Sequence, residues 1–178
     1  MDYTEKFRKT LSRYEGIIAN IRIDTVTMPD GSEAYREIVE HPGGVSVLPI
    51  DADGYAYCVR QYRYAFSSAM LEAPAGKLDK GESPEKCAAR ELSEETGITA
   101  KELISLGEMY PSPGFCHEIL YLYLARDLDF GAAHPDDGEF VGVERIHIDD
   151  LFAMVCGGEI KDAKTVISVL RAKLLLGD

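Results

Sequence analysis

The sequence has no tryptophan, only four histidines and four cysteines, and no long apolar run. Each shortage excludes something. A membrane-spanning helix needs about 18 or more consecutive apolar residues, and none is present. Cys58, Cys87, Cys116 and Cys156 form no C-x-x-C pair, so neither a zinc knuckle nor a dithiol redox motif is expected. Free thiols in a reducing compartment are the simplest reading. The opening stretch MDYTEKFRKTLSRYEG is charged and lacks an apolar centre, so no secretory signal is predicted and the cytoplasm is the expected location. Positive charge is also scarce: 19 basic residues face 31 acidic ones, a formal net charge of −12. Such a surface repels polyphosphate backbones, which disfavours nucleic acid as a partner. A small anionic substrate would need local help from metal ions or placed arginines.

What remains is an ordinary soluble composition, 46% hydrophobic and 28% charged over 178 residues, enough for one domain with a core and a small extension. There is no internal repeat. Residues 3–13 have weak helical character. IIANIRIDTV (17–26) and EAYREIVE (33–40) alternate like strands around a turn at Met28–Gly31. HPGG (41–44) is the expected boundary between an N-terminal β-extension, residues 1–42, and the main domain, residues 43–178. GVSVLPI (44–50) and YAYCVRQYR (55–63) read as a hairpin around Asp51–Gly54. Further strands are expected at 101–110, 118–125 and 140–148, with a long acidic loop, DLDFGAAHPDDGEF, at 127–140. Two helices follow, the first capped by Asp149 or Asp150 and ended by Gly157-Gly158, the second capped by Asp162. Strands with few helices point to a mixed β-sheet covered by helices, of α+β or α/β class.

The chemistry concentrates in GKLDKGESPEKCAARELSEETGI (76–98). Ser83-Pro84 is a helix start and Gly97 a helix stop, framing a helix over 84–96. On it Glu91, Glu94 and Glu95 stand at i, i+3 and i+4 and share one face, with Ala88, Ala89 and Leu92 toward a sheet. Such acids repel unless a cation lies between them. Hard oxygen ligands suit Mg²⁺ or Mn²⁺. A solvated acidic face is the bland alternative. The surroundings favour the metal: Arg90 can pair with Glu82 and tie the loop to the helix, and Gly76 lets the backbone turn and frees the Ala75 carbonyl to face a cation.

The stretch resembles the Nudix box, G-x5-E-x7-R-E-U-x-E-E-x-G-U, where U is a bulky aliphatic residue. Gly76, Glu82, Arg90, Glu91, Leu92, Glu94, Glu95, Gly97 and Ile98 match every fixed position without a gap. The resemblance implies an α/β/α sandwich and cleavage by water of a nucleoside diphosphate linked to another moiety, with divalent metal. Outside the box, Pro113 in SPGF, 16 residues after Gly97, is similar to the ADP-ribose pyrophosphatase subfamily, as are YREIVEHPGGVSVLP (35–49), VRQYRYAF (59–66) and KDAKTVISVL (161–170).

Carried over residue by residue, that resemblance implies two to three Mg²⁺ ions (Mn²⁺ in substitution) on the Ala75 carbonyl, Glu91 and Glu95, with Glu94 a further ligand or water contact. Arg90 and Glu82 join the catalytic set. Arg63 matches the position that reaches the phosphates, and Arg36 and Glu37 match contacts to adenine or a neighbouring phosphate. Ser112, Gly114 and Glu118 match the loop near the terminal ribose. The catalytic base is expected on a loop downstream of the box, with Glu139 the best match and Asp136 and Asp137 in reserve. The aromatic residue that would stack on adenine is not obvious; Tyr35, Tyr14, or Ile17 with Ile18 are the options. The family's arrangement also implies a homodimer completed by the N-terminal strands. The expected reaction is hydrolysis of ADP-ribose to AMP and ribose 5-phosphate. The alternatives are another sugar nucleotide, such as GDP-mannose or an ADP-sugar, and a module that senses ADP-ribose without cleaving it.

Overall fold

The computed structural model describes residues 1–17, 19–134, 138 and 140–177; the candidate base Glu139, its reserves Asp136 and Asp137, and Ile18 lie outside the described residues. The chain divides into two compact units, Met1–Gly43 with Tyr110–Ile119, and Gly44–Met109 with Leu120–Asp178.

The first unit holds an antiparallel sheet of β1 (Lys6–Glu15), β2 (Asn20–Thr27) and β3 (Glu33–Glu40), in that order. The helix expected over 3–13 is a strand. Its charges look like a solvated helix face but serve as cross-strand partners. Arg13 reaches Glu40 at 3.0 Å, Thr10 donates to Asp24 at 2.7 Å, and Arg8 pairs with Glu33. Arg22 links Asp24 (2.8 Å) to Glu40 (2.6 Å) within the same lattice. The turn between β2 and β3 forms as expected, with the Met28 N–H donating to the Ser32 carbonyl at 2.8 Å. Residues 112–118 run beside β3: Val39 N–H donates to Phe115, and His117 N–H donates back to Val39.

The second unit contains β4 (Gly44–Pro49), β5 (Tyr55–Arg63), β6 (Ser68–Glu72), β7 (Ala75–Lys77), α1 (Pro84–Thr96), β8 (Ile98–Met109), β9 (Leu120–Phe130), β10 (Val141–His147), α2 (Ile148–Cys156) and α3 (Ala163–Leu176). A mixed four-stranded sheet has the order β7-β4-β9-β8, with β4 and β9 parallel; β10-β5-β6 form a second sheet. The hairpin expected between β4 and β5 does not form. Every residue of β4 is buried, and its two edges are taken by β7 and β9, which leaves none for β5. Asp51–Gly54 turns the chain from one sheet to the other, with a lone bridge between Ile50 and Ala56.

Alternation along β4 explains the layers. Val45 and Val47 face Cys87, Ala88 and Leu92 of α1. Leu48 and Ile50 join Leu151 and Val155 of α2 and Val169 and Ala172 of α3. The result is an α/β/α sandwich built on a mixed sheet. Asp162 caps α3 as expected, accepting from Thr165 N–H at 3.0 Å. The α2 cap is His147 instead of Asp149 or Asp150, because the helix begins two to three residues earlier, at Ile148. The two aspartates then sit in its first turn, where the helix dipole favours negative charge. Among the described residues no helix is long and apolar enough to cross a membrane, and all four cysteines are free thiols.

Candidate metal and phosphate site

Helix α1 has the predicted bounds. Ser83 takes the extended N-cap conformation with Pro84 following, although its hydroxyl makes no capping bond; helix entry rests on backbone geometry and the proline. Gly97 closes the helix at φ +71°. A side chain there would meet the backbone of Gly131, Ala132 and Ala133 within 2.5–2.6 Å, so only glycine lets that segment cross the helix end. Ala88 and Leu92 are buried against the sheet as expected, whereas Ala89 is exposed.

Glu95 turns inward and is 5% exposed, with its carboxylate accepting from the Ala75 N–H at 3.0 Å. Glu91 presses against the neighbouring residue of β7: any Cβ on Gly76 would overlap its carboxylate. The need for glycine at 76 is therefore steric and not a matter of turning, since Gly76 lies within a strand and outside the left-handed region. Two carboxylates thus converge on the Ala75–Gly76 backbone.

Arg90 organises the rest. Its guanidinium donates to both Glu82 oxygens, at 3.0 and 2.9 Å, and to Glu91 (2.8 Å), Glu94 (2.9 Å) and the Lys77 carbonyl (3.2 Å). Glu82 also accepts from Asp79 N–H at 3.1 Å, so the 77–82 loop is clamped to α1 through one side chain. The Arg90 hydrogen bonds hold the Glu82 carboxyl well below the usual glutamate range, at about 2, and the same contacts raise Arg90. Among the described residues no three His, Cys, Asp or Glu side chains are gathered as a ready-made metal cage. The donor set nevertheless fits a hard divalent cation: Glu91 and Glu95 carboxylates against one short strand, with Glu94 one turn from Glu91 and Arg90 the cation they share.

A second charge cluster lies within the same unit and was not legible as a site. Glu72, at the end of β6, is 2% exposed. It accepts from Arg63 Nε at 2.7 Å and Nη2 at 2.6 Å, and is also held by Lys164 of α3. Lys164 in turn donates to Asp162 at 2.9 Å. Burial works against ionising Glu72, but the Arg63 bonds and the Lys164 charge together keep its carboxyl below the usual range. The Arg63 guanidinium is raised by its bond to Glu72 and feels the charges of Asp162 and of Glu95 on α1. Arg63 spends one edge of its fork on Glu72, so a phosphate would be met by the other edge. The only trace in the sequence is a lone acid in the apolar, small-residue run MLEAPAG.

The remaining candidates fall in the first unit. Arg36 is paired with Glu5, with Nη2–Oε1 at 2.5 Å. Glu37 is exposed and, as the next residue on a strand, points to the opposite face. The Ser112 carbonyl accepts from Phe115 and Cys116 N–H, making a turn through the exposed Pro113 and Gly114. Glu118 lies 3.5 Å from His41. Tyr14 and Tyr35 are both largely exposed.

Residues 40–168 match the NUDIX domain family. The chain is 39% identical over 166 residues to a protein of Bacillus subtilis (strain 168) named ADP-ribose pyrophosphatase, covering 90% of each chain. It is also 39% identical over 169 residues to the methanol dehydrogenase activator of Bacillus methanolicus, covering 94% of this chain and 91% of that one. A crystal structure titled ADP compounds hydrolase superposes with a TM-score of 0.84 at 19% identity, over 97% of this chain and 94% of that one, a likeness of fold.

Proposed function

The chain belongs to the NUDIX domain family, and from that premise we propose that it is a Mg²⁺-dependent pyrophosphatase that hydrolyses ADP-ribose to AMP and ribose 5-phosphate. One observation carries the reading: a gap-free box, placed on α1 and β7, lies in a chain 39% identical over nine-tenths of its length to an ADP-ribose pyrophosphatase. Glu91, Glu95 and the Ala75 carbonyl, with Glu94 as ligand or water contact, hold two to three Mg²⁺ ions, for which Mn²⁺ substitutes. Bound there, the metal neutralises the diphosphate and brings the pKa of a coordinated water toward neutrality. Arg90 and Glu82 keep the loop and helix in register. Arg63 takes the phosphates with its free edge, a charge-assisted contact. Glu139 accepts the proton of the attacking water. Arg36 and Glu37, on opposite faces of β3, divide between adenine and phosphate, while Ser112, Gly114 and Glu118 serve the terminal ribose.

The N-terminal strands are proposed to build a homodimer. The support is chemical: Phe7, Leu11, Tyr14, Ile21 and Tyr35 of the first unit are all exposed, and a second copy would cover such side chains. Free thiols suit the reducing cytoplasm. Coupled phosphate release from ADP-ribose, ADP-mannose, GDP-mannose, NADH and diadenosine polyphosphates, with and without Mg²⁺, tests the reading. ADP-ribose is expected to lead the panel. A lead for GDP-mannose would reassign the substrate, and binding of ADP-ribose without turnover of any compound would leave a sensing module.

A further inference from the structure

We propose that Lys164 is a positioning residue: by sharing the buried Glu72 carboxylate, it leaves Arg63 fixed in direction and still electropositive toward the substrate's phosphates. The inference rests on the reading in which Arg63 meets the diphosphate, and goes beyond it by assigning a task to a helix outside the box.

The argument is one of charge balance. Glu72 is nearly inaccessible, and an unpaired carboxylate at that depth is costly. Arg63 alone would satisfy it, since both Glu72 oxygens accept from Arg63. The pair would then be neutral, and the nearby Asp162 would make the cluster net negative, a poor neighbour for a diphosphate. Lys164, only 12% exposed at its side chain, removes that deficit by bridging Glu72 and Asp162. The two cations then match Glu72 and Asp162, with Glu95 a further acid that Arg63 feels, and the exposed edge of Arg63 keeps more of its field than it would without Lys164. The bridge is held rigidly. Asp162 accepts from both the N–H and the hydroxyl of Thr165, whose hydroxyl accepts from the Ala73 N–H at 2.7 Å. The N-terminus of α3 is thereby bolted to the Glu72–Ala75 segment, whose far end meets Glu95.

The test is steady-state kinetics on ADP-ribose with Mg²⁺, alongside thermal melting, for wild type and three variants. Lys164→Met is expected to raise KM by roughly tenfold with a much smaller change in kcat, because a ground-state electrostatic contact to phosphate is weakened. Lys164→Arg, which keeps the charge, is expected to bring KM back to within about threefold of wild type. Asp162→Asn keeps a capping side chain but removes the opposing charge, and is expected to lower KM by about threefold. That variant carries the test if Lys164→Met does not fold. A Lys164→Met enzyme that melts lower but keeps its KM would reduce Lys164 to a structural brace and overturn the proposal, as would an Asp162→Asn enzyme with unchanged or raised KM. If wild type turns over no ADP-ribose at all, the functional reading fails first and the proposal with it.

Discussion

Two charge clusters in the second unit solve opposite problems. Around α1, three acids (Glu82, Glu91 and Glu94) share Arg90, and the buried Glu95 of the same helix meets the Ala75 N–H. Around the start of α3, two cations, Arg63 and Lys164, meet two acids, the buried Glu72 and Asp162. The first is short of positive charge, as the proposed divalent metal requires; the second is balanced, and on the proposed reading it leaves an edge of Arg63 for a phosphate. A protein of net charge −12 can therefore take an anionic substrate without a basic surface, because charge is arranged locally and not by composition.

The largest effect expected from breaking this contrast is at Glu95. Glu95→Gln keeps shape and the bond to Ala75 N–H but removes a charge proposed to bind metal, so turnover should fall by about 10³-fold, several kcal/mol of transition-state stabilisation. Circular dichroism and melting should remain close to wild type. Activity within about tenfold of wild type would remove the metal platform from the account.

Gly76→Ala comes next. The added methyl displaces the Glu91 carboxylate from β7, and activity should drop by about 10–100-fold, the range for a disturbed metal ligand. Raising Mg²⁺ should recover part of it. Loss that no Mg²⁺ concentration relieves would point instead to a collapsed strand.

Arg90→Ala tests the α1 side from its cation, since it removes the partner that Glu82, Glu91 and Glu94 share. The guanidinium is partly solvated, so the cost is about 1–2 kcal/mol, or about 3–6 °C in Tm for a chain of this length. Scanning calorimetry checks it.

The smallest effect is the pH response of Glu82. Its folded pKa is depressed from 4.5 to about 2, so the clamp contributes stability above the ordinary glutamate pKa and loses it as pH falls from there toward 2. Carboxyl NMR should place the Glu82 midpoint near 2 in wild type and return it to the ordinary value in Arg90→Ala. A wild-type midpoint at the ordinary value would dissolve the clamp.

These two clusters also differ in how far the sequence reveals them. Everything around α1 is local: Ser83-Pro84 and Gly97 frame the helix, and the i, i+3, i+4 spacing of the acids sets their shared face. The Glu72 cluster joins residues 92 positions apart; Lys164 lies in the subfamily-like run KDAKTVISVL, but nothing local pairs it with Glu72. The same limit explains the misread first strand. Residues 3–13 carry charges spaced like a helix surface, yet their partners lie on β2 and β3, and only that pairing supplies the backbone hydrogen bonds of a strand. Likewise, β4 and β5 have the right turn between them for a hairpin, but the edges of β4 are claimed by strands from elsewhere in the chain. His147 caps α2 because the helix starts at an isoleucine that no capping rule would choose.

The most direct test of the central claim is product analysis of the wild-type enzyme with ADP-ribose, in Mg²⁺ and in chelator. The account predicts AMP and ribose 5-phosphate in equal amounts with Mg²⁺ and no reaction without it. Hydrolysis that continues unchanged in chelator, or an ADP-ribose left intact with Mg²⁺ present, would contradict it.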